Sequence, residues 1–276
     1  LTSVTGTFTS AGNDTMKLLL SSTSGVDISA VTMTDVDNVG LDTDADGTMT
    51  IAQHNVINSG VGTNKVTLTG NGTVTGNSAI EEYVLASGAN NFTLANVSQT
   101  VTGNSGVDEI VGGSGDDTIS GLGGDDILSG GLGTDRIIGG ADEDTLTGGG
   151  GADTFVFATG ASGATESTKD TIQDYNATDD TLEFDVTHSD AIAYTEVNAG
   201  VDGLRMFGDE FITNAETAFG TGTNVYFAAA IGGTANGYLA VDIDGNGQFD
   251  GGTDVFIEMT GLSSVDNLSA ADITFV

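Results

Sequence analysis

Six aspartates stand nine residues apart near the middle of this 276-residue chain: Asp108, Asp117, Asp126, Asp135, Asp144 and Asp153. Read in nines from Thr102, the segment runs TGNSGVDEI, VGGSGDDTI, SGLGGDDIL, SGGLGTDRI, IGGADEDTL and TGGGGADTF, without a gap to Phe155. A carboxylate is a hard, charged oxygen donor, the ligand type that calcium prefers. The glycines permit the positive φ angles of tight turns and leave turn carbonyls exposed as further oxygen donors. Carboxylates and carbonyls recurring at one fixed interval predict a row of calcium sites.

The elements that must position those oxygens follow from the same register. The last three residues of each nonamer predict a short strand whose ninth side chain points inward: Ile110, Ile119, Leu128, Ile137, Leu146 and Phe155. One nonamer cannot bury its single apolar residue, so coils must stack. A glycine-rich β-solenoid that binds no metal is the competing reading, but apolar stacking alone does not call for an Asp every nine residues.

The pattern x-G-G-x-G-x-D-x-U resembles that of the RTX family of calcium-binding, type I-secreted bacterial proteins. The resemblance implies that two nonamers make one coil with turns on opposite edges. Turns 18 residues apart then lie above one another, and calcium bridges Asp108 to Asp126, Asp117 to Asp135, Asp126 to Asp144, and Asp135 to Asp153. Loop carbonyls such as those of Gly113 and Gly115 complete the shells, and Asp116 and Asp125 join the candidate ligands. Without ions the stacked aspartates, ~5 Å apart at strand spacing, repel strongly. The roll is therefore expected to be folded with calcium and loose without it. Asn104, Leu122 and Asp142 replace glycines of the pattern. Asn tolerates left-handed geometry, whereas Leu122 and Asp142 are expected to weaken or reshape their turns.

Upstream, the ninth-position phase continues through Val74, Tyr83, Phe92 and Val101 and is broken by Lys65, which predicts a stacked solenoid from about Val66. Strand-like runs at Thr5–Ser10, Met16–Leu20 and Val31–Val36, and one short helix within Thr50–Asn58, are expected before it. This half resembles the Thr/Val/Asn-rich solenoids of surface-layer proteins and large secreted adhesins. Downstream, Asp170–Tyr175 and Asp179–Phe184 resemble the segment after the repeats in RTX proteins, where the roll ends in an antiparallel cap. The final Asp272-Ile273-Thr274-Phe275-Val276 resembles an uncleaved type I secretion signal.

Two further acidic loops offer oxygens at alternate positions. Asp242, Asp244, Asn246, Gln248 and Asp250 follow the opening of an EF-hand loop, with Thr253 rather than Glu at the twelfth place. A calcium loop without the helix pair and a plain hairpin turn both fit. Asp42-Thr43-Asp44-Ala45-Asp46-Gly47 opens the same way but has Gln53 at the twelfth place, and a solvated turn is its alternative.

Forty acids against five bases leave a net charge of −35, which repels nucleic acid and anionic lipid and calls for counter-cations; adaptation to saline water is the alternative explanation. No Cys is present, so disulfides and thiolate metal sites are excluded, and no apolar run is long enough for membrane insertion. His54 and His188 lie in no HExxH motif, and no GxSxG or GxxxxGK[ST] occurs. The chain is not expected to be an enzyme. It begins at Leu1 without an initiator Met and reads as a piece of something longer.

These readings predict an all-β protein: a parallel β-solenoid over 1–101, an RTX calcium β-roll over 102–155, and an antiparallel β cap over 156–276. The expected cofactor is Ca2+, several ions. The expected partners are identical subunits by self-assembly and the type I secretion machinery, outside the cell or at its surface. The expected function is that of a calcium-dependent structural protein, a surface-layer or filament subunit or an adhesin terminus. Its alternative is the secretion and folding module of a larger RTX hydrolase or toxin. A carbohydrate- or ice-binding module is a third reading, disfavoured because the threonines do not recur at strict coil spacing.

Overall fold

The structure, a computed structural model, describes residues 2–3, 6–9, 15–18, 26–34, 38–41, 46–55, 57–59, 63–158, 161, 168–185, 193–197, 224–229, 236–243, 254–260 and 272–276. Short strands dominate, as expected of a chain rich in Gly, Thr and Val. The first are β1 (Thr2–Ser3), β2 (Gly6–Thr9), β3 (Thr15–Leu18), β4 (Val26–Asp27), β5 (Val31–Thr34), β6 (Asn38–Leu41) and β7 (Asp46–Met49). One helical turn, α1 (Ile51–His54), follows, then β8 (Ile57–Ser59), β9 (Lys65–Leu68), β10 (Thr73–Thr75), β11 (Glu82–Val84) and β12 (Asn90–Thr93). The nonamer block forms β13 (Thr100–Asn104), β14 (Asp108–Val111), β15 (Thr118–Gly123), β16 (Ile127–Leu132), β17 (Arg136–Ala141), β18 (Thr145–Gly150) and β19 (Thr154–Ala158). Beyond it lie β20 (Asp170–Ile172), β21 (Thr181–Asp185), β22 (Ala193–Val197), β23 (Asn224–Ala229), β24 (Asn236–Val241), β25 (Val255–Thr260) and β26 (Ile273–Phe275).

Two long sheets face each other, one ordered β1-β4-β7-β9-β11-β13-β15-β17-β19-β21-β26 and the other β10-β12-β14-β16-β18-β20-β25-β24-β23-β22. Successive nonamers alternate between them, so one coil is two nonamers and all stacking within the block is parallel. Ninth-position residues stack on one another in both sheets. Val101, Ile119, Ile137, Phe155 and Leu182 form one column. Phe92, Ile110, Leu128, Leu146 and Ile172 form the other. All ten are buried and belong to one continuous hydrophobic core that runs from Ile28 to Ile273. This is a parallel β-solenoid carrying a β-roll.

Several boundaries differ from the sequence reading. The helix covers only Ile51–His54, because its capping box (Thr50 with Gln53) is followed by a C-cap at Asn55 and a strand from Ile57. The stack does not begin at Val66 but reaches back to β1, through coils of unequal length: Val26 pairs with Gly47, and Gly47 with Val66. Lys65 leaves the phase because the coil from Val66 to Tyr83 is one residue short of 18. Strands β2, β3 and β5 fall on the three expected early runs, β3 starting one residue before Met16.

Downstream, the roll continues past Phe155: β20 stacks on β18 and β21 on β19, both parallel. The antiparallel pairing expected of the cap occurs at β23–β24 and β24–β25, which attach to the roll through a parallel β20–β25 contact. The last strand, β26, adds in parallel to β21. Asp42 and Asp44, His188 and the loop residues Asp244, Asn246, Gln248 and Asp250 lie outside the described residues.

Candidate metal centre

The seventh-position aspartates form two ladders, one along each edge of the roll. On one edge the backbone N–H of Asn90 donates to Asp108 Oδ1 (2.9 Å), that of Asp108 to Asp126 Oδ1 (2.7 Å), that of Asp126 to Asp144 Oδ1 (2.9 Å) and that of Asp144 to Asp170 Oδ1 (2.9 Å). On the other, Gln99 donates to Asp117 (2.8 Å), Asp117 to Asp135 (2.8 Å), Asp135 to Asp153 (2.9 Å) and Asp153 to Asp180 (3.0 Å). The four pairs expected to share an ion are thus direct neighbours in the stack. All six nonamer aspartates are buried, 0–2% exposed.

Only one oxygen of each carboxylate serves the ladder. The second, Oδ2, of Asp126, Asp135 and Asp144 is buried and has no hydrogen-bond partner. Burying an acceptor unpaired costs about 1–3 kcal/mol, and more when it is charged. Burial, reinforced by neighbouring carboxylates, pushes these groups up: Asp126 to about 7, Asp135 to about 6 and Asp144 to about 8. Asp117, Asp153 and Asp180 are raised for the same reason, and Asp170 well above its ordinary value. A cation is the ligand that reverses this penalty.

The glycine at the second place of each nonamer is the floor of each pocket. A Cβ at Gly121, Gly130 or Gly139 would lie 2.0, 2.3 or 2.3 Å from the Oδ2 of Asp126, Asp135 or Asp144. The free oxygens therefore sit where any side chain would collide. Among the described residues no three acidic or histidine side chains converge on one point. A calcium ion, which takes 6–8 oxygens, would draw most of its shell from turn carbonyls. The donor set of two stacked carboxylates and glycine carbonyls fits it.

Other candidates fall into distinct places. Gly113 O accepts the Leu132 N–H (3.0 Å) and has its second lone pair left, while Gly115 O is aimed at Gly133, whose Cβ would meet it at 2.1 Å. Asp116 and Asp125 are exposed on the outer rim, where their Oδ1 atoms accept the N–H of Thr134 (2.9 Å) and Glu143 (3.3 Å) from the next coil. Asp242 and Asp254, at the ends of the β24–β25 hairpin, are fully buried, and Asp254 Oδ1 accepts the Ile243 N–H (3.0 Å).

Leu122 and Asp142 do not reshape their turns: both take the left-handed backbone of the glycines they replace, at φ 79° and 80°. Asn104 does not; its side chain bridges coils instead, accepting from Gly88 and Gly106 N–H (3.0 and 2.9 Å) and donating to Asp108 Oδ2 (3.0 Å).

Sequence reasoning missed Asp170 and Asp180, which prolong the two ladders at intervals of 26 and 27 residues. The signal available was the Asp-Thr-apolar triplet, repeated at Asp170-Thr171-Ile172 and Asp180-Thr181-Leu182.

A family model described as the RTX calcium-binding nonapeptide repeat (4 copies) matches residues 102–137 and 129–162. No curated protein matches the chain. Among solved structures, the AlgE6R3 subunit of the Azotobacter vinelandii mannuronan C5-epimerase is 23% identical with a TM-score of 0.29, covering 65% of this chain and 78% of its own. The AlgE6R2 subunit of the same enzyme is also 23% identical with a TM-score of 0.29, covering 68% and 91%.

Proposed function

We propose that the chain, whose residues 102–162 match the RTX calcium-binding nonapeptide repeat, is a secreted structural protein of the cell surface that folds on calcium after export. It serves as a surface-layer or filament subunit or as an adhesin terminus, and it is not itself an enzyme. The observation that carries the calcium dependence is the row of buried Oδ2 atoms on Asp126, Asp135 and Asp144 that no hydrogen bond satisfies. Sites with affinities on the order of 10⁻⁴–10⁻³ M stay empty in the cytosol and fill outside. Ligand binding to the native state alone then drives folding.

Two observations support a structural role. Each seventh-position aspartate of the nonamers is bonded by a neighbouring coil, and no three acidic or histidine side chains converge among the described residues. His54 is buried against Tyr83.

The test is far-UV circular dichroism with light scattering on the purified chain, first in chelator and then across added calcium. Gain of β signal together with large ordered particles at millimolar calcium is the expected result. Gain of β signal by a chain that stays monomeric would favour the terminal module of a longer protein. A β signal indifferent to calcium would overturn the proposal.

A further inference from the structure

Asn and Gln are distributed unevenly along the stack. Eleven occur between Gln53 and Asn104, and none from Ser105 to Ile172. The aspartate ladder occupies the stretch that lacks them. Two of the eleven, Asn90 and Gln99, stand at the seventh position of the nonamer phase, eighteen and nine residues before Asp108.

Their buried side chains gather main-chain carbonyls. Asn90 Nδ2 donates to Ala86 O (3.0 Å), Gly88 O (2.8 Å) and Asp108 Oδ1 (2.8 Å). Gln99 Nε2 donates to Asn77 O (3.0 Å) and Ile80 O in the coil before it, while its Oε1 accepts the Ala95 N–H (2.7 Å). The motif recurs further upstream. Gln53 Nε2 joins Ile28 O and Val31 O (2.6 Å each), Asn64 Nδ2 reaches Ala79 O (3.1 Å), and Asn77 Nδ2 reaches Ile57 O.

A carboxamide NH2 presents positive hydrogens to carbonyl oxygens from inside a turn, as a cation does, but it is neutral and covalently attached. The change of chemistry is visible rung by rung. Asp108 has Oδ1 satisfied by Asn90 and Oδ2 by the main-chain and side-chain nitrogens of Asn104 (3.2 and 3.0 Å), and Asp117 Oδ2 accepts the Gly113 N–H (3.3 Å). In Asp126, Asp135 and Asp144 the same oxygen has no donor.

We infer that the side-chain amides of Gln53, Asn64, Asn77, Asn90 and Gln99 replace the metal in the upstream solenoid, so that coils 64–101 form without calcium and offer a finished edge on which the roll is laid. The inference rests on the reading that calcium folds the roll, and it assigns the passage from amide to metal to the step between Asp108 and Asp117 and their next-coil partners, Asp126 and Asp135.

Hydrogen–deuterium exchange with peptide-level readout, on the full chain in chelator and in millimolar calcium, tests it. Peptides within 64–101 should be protected in both conditions, by roughly 100-fold or more, and peptides within 118–155 only with calcium. Exchange of both regions in chelator, with protection of both in calcium, overturns the amide template and leaves the calcium reading standing. Protection of both regions in chelator overturns both. Two variants separate the amide's chemistry from loss of folding. Asn90→Asp keeps the shape but removes the donor, so protection around 86–94 should vanish in chelator and return with calcium. Asn90→Leu should lose it in both. Equal behaviour of the two variants in calcium would overturn the proposal.

Discussion

Gly112→Ala is the sharpest perturbation of the roll, and Gly123→Ala is its matched control. A Cβ on Gly112 would lie 1.6 Å from Gly130 O, 2.6 Å from Gly130 C and 3.1 Å from Ser129 O, all backbone atoms of the next coil. Reaching even 3.0 Å, below which real Cβ contacts essentially never fall, requires that coil to retreat by 1.4 Å. The Gly112 N–H to Ser129 O bond (2.6 Å) and the β14–β16 pairing beside it cannot survive such a shift. Loss of three to four net hydrogen bonds at about 1 kcal/mol each gives a cost of about 4 kcal/mol. Were one ion to sit at each of the four aspartate bridges expected from the register, the cost shared among them at about 1.4 kcal/mol per tenfold would raise the calcium midpoint of folding about 5-fold. At Gly123 the nearest atoms to an added Cβ are 3.9 and 4.0 Å away, so Gly123→Ala should stay within about 0.5 kcal/mol of wild type. Calcium titration followed by circular dichroism, with thermal melts of the loaded protein, reads both. Equal midpoints for the two variants would refute the steric account of the turn glycines.

Leu122→Gly should stabilise the calcium-loaded chain by about 0.5–1 kcal/mol, the left-handed backbone penalty less the flexibility glycine adds, seen as a higher Tm. Asp142→Gly should come out near neutral, since it also loses the bond from Gly124 N–H (3.2 Å). In the metal-free roll Asp126 and Asp144 hold their protons to about 7 and 8, whereas in the unfolded chain they ionise near the ordinary carboxylate value. Their raised values stabilise the metal-free fold at low pH, and that contribution is lost as pH rises through the folded values. Circular dichroism in chelator should therefore show the roll gaining β signal as pH falls from about 8 towards 5, and a flat signal across that range would refute the burial argument. His54 Nδ1 donates to Asn55 Oδ1 (3.1 Å), so in the neutral ring Nε2 is bare and accepts from the Tyr83 hydroxyl (2.9 Å), whose oxygen accepts the Asn77 N–H (2.8 Å). Burial lowers the His54 pKa from 6.5, so its contribution is present above that value and is lost as pH falls through the lower folded one. Tyr83→Phe should cost about 1–3 kcal/mol in urea unfolding and flatten that acid limb.

The roll was legible because its chemistry and its packing repeat in the same register: an Asp, then an apolar residue two places on, every nine residues. That register placed Val74, Tyr83, Phe92 and Val101 in the core before any glycine motif begins. It failed where coil length changes. The short coil between Val66 and Tyr83 and the longer one from Val26 to Gly47 leave no period to find. Asp170 and Asp180 were hidden because 26 and 27 residues, not 18, separate them from Asp144 and Asp153. Asn90 and Gln99 carried the right phase, but amides match no ligand pattern, and only their carbonyl partners reveal what they do. The choice of β21 as the partner of β26 depends on contacts across about ninety residues, which no local pattern encodes.

The direction of the hydrogen bonds gives the roll a mechanical character. In the nonamer block they run along the stack, from one coil to the next, so tension along that axis meets the coils one at a time. A coil occupies about 4.8 Å of the stack while folded. Drawn out, its 18 residues reach roughly 60 Å. A chain anchored at one end and pulled at the other would therefore lengthen in discrete steps of more than tenfold per coil, each step set by the ions riveting the two edges of that coil. Ambient calcium would then set the force at which such a tether yields.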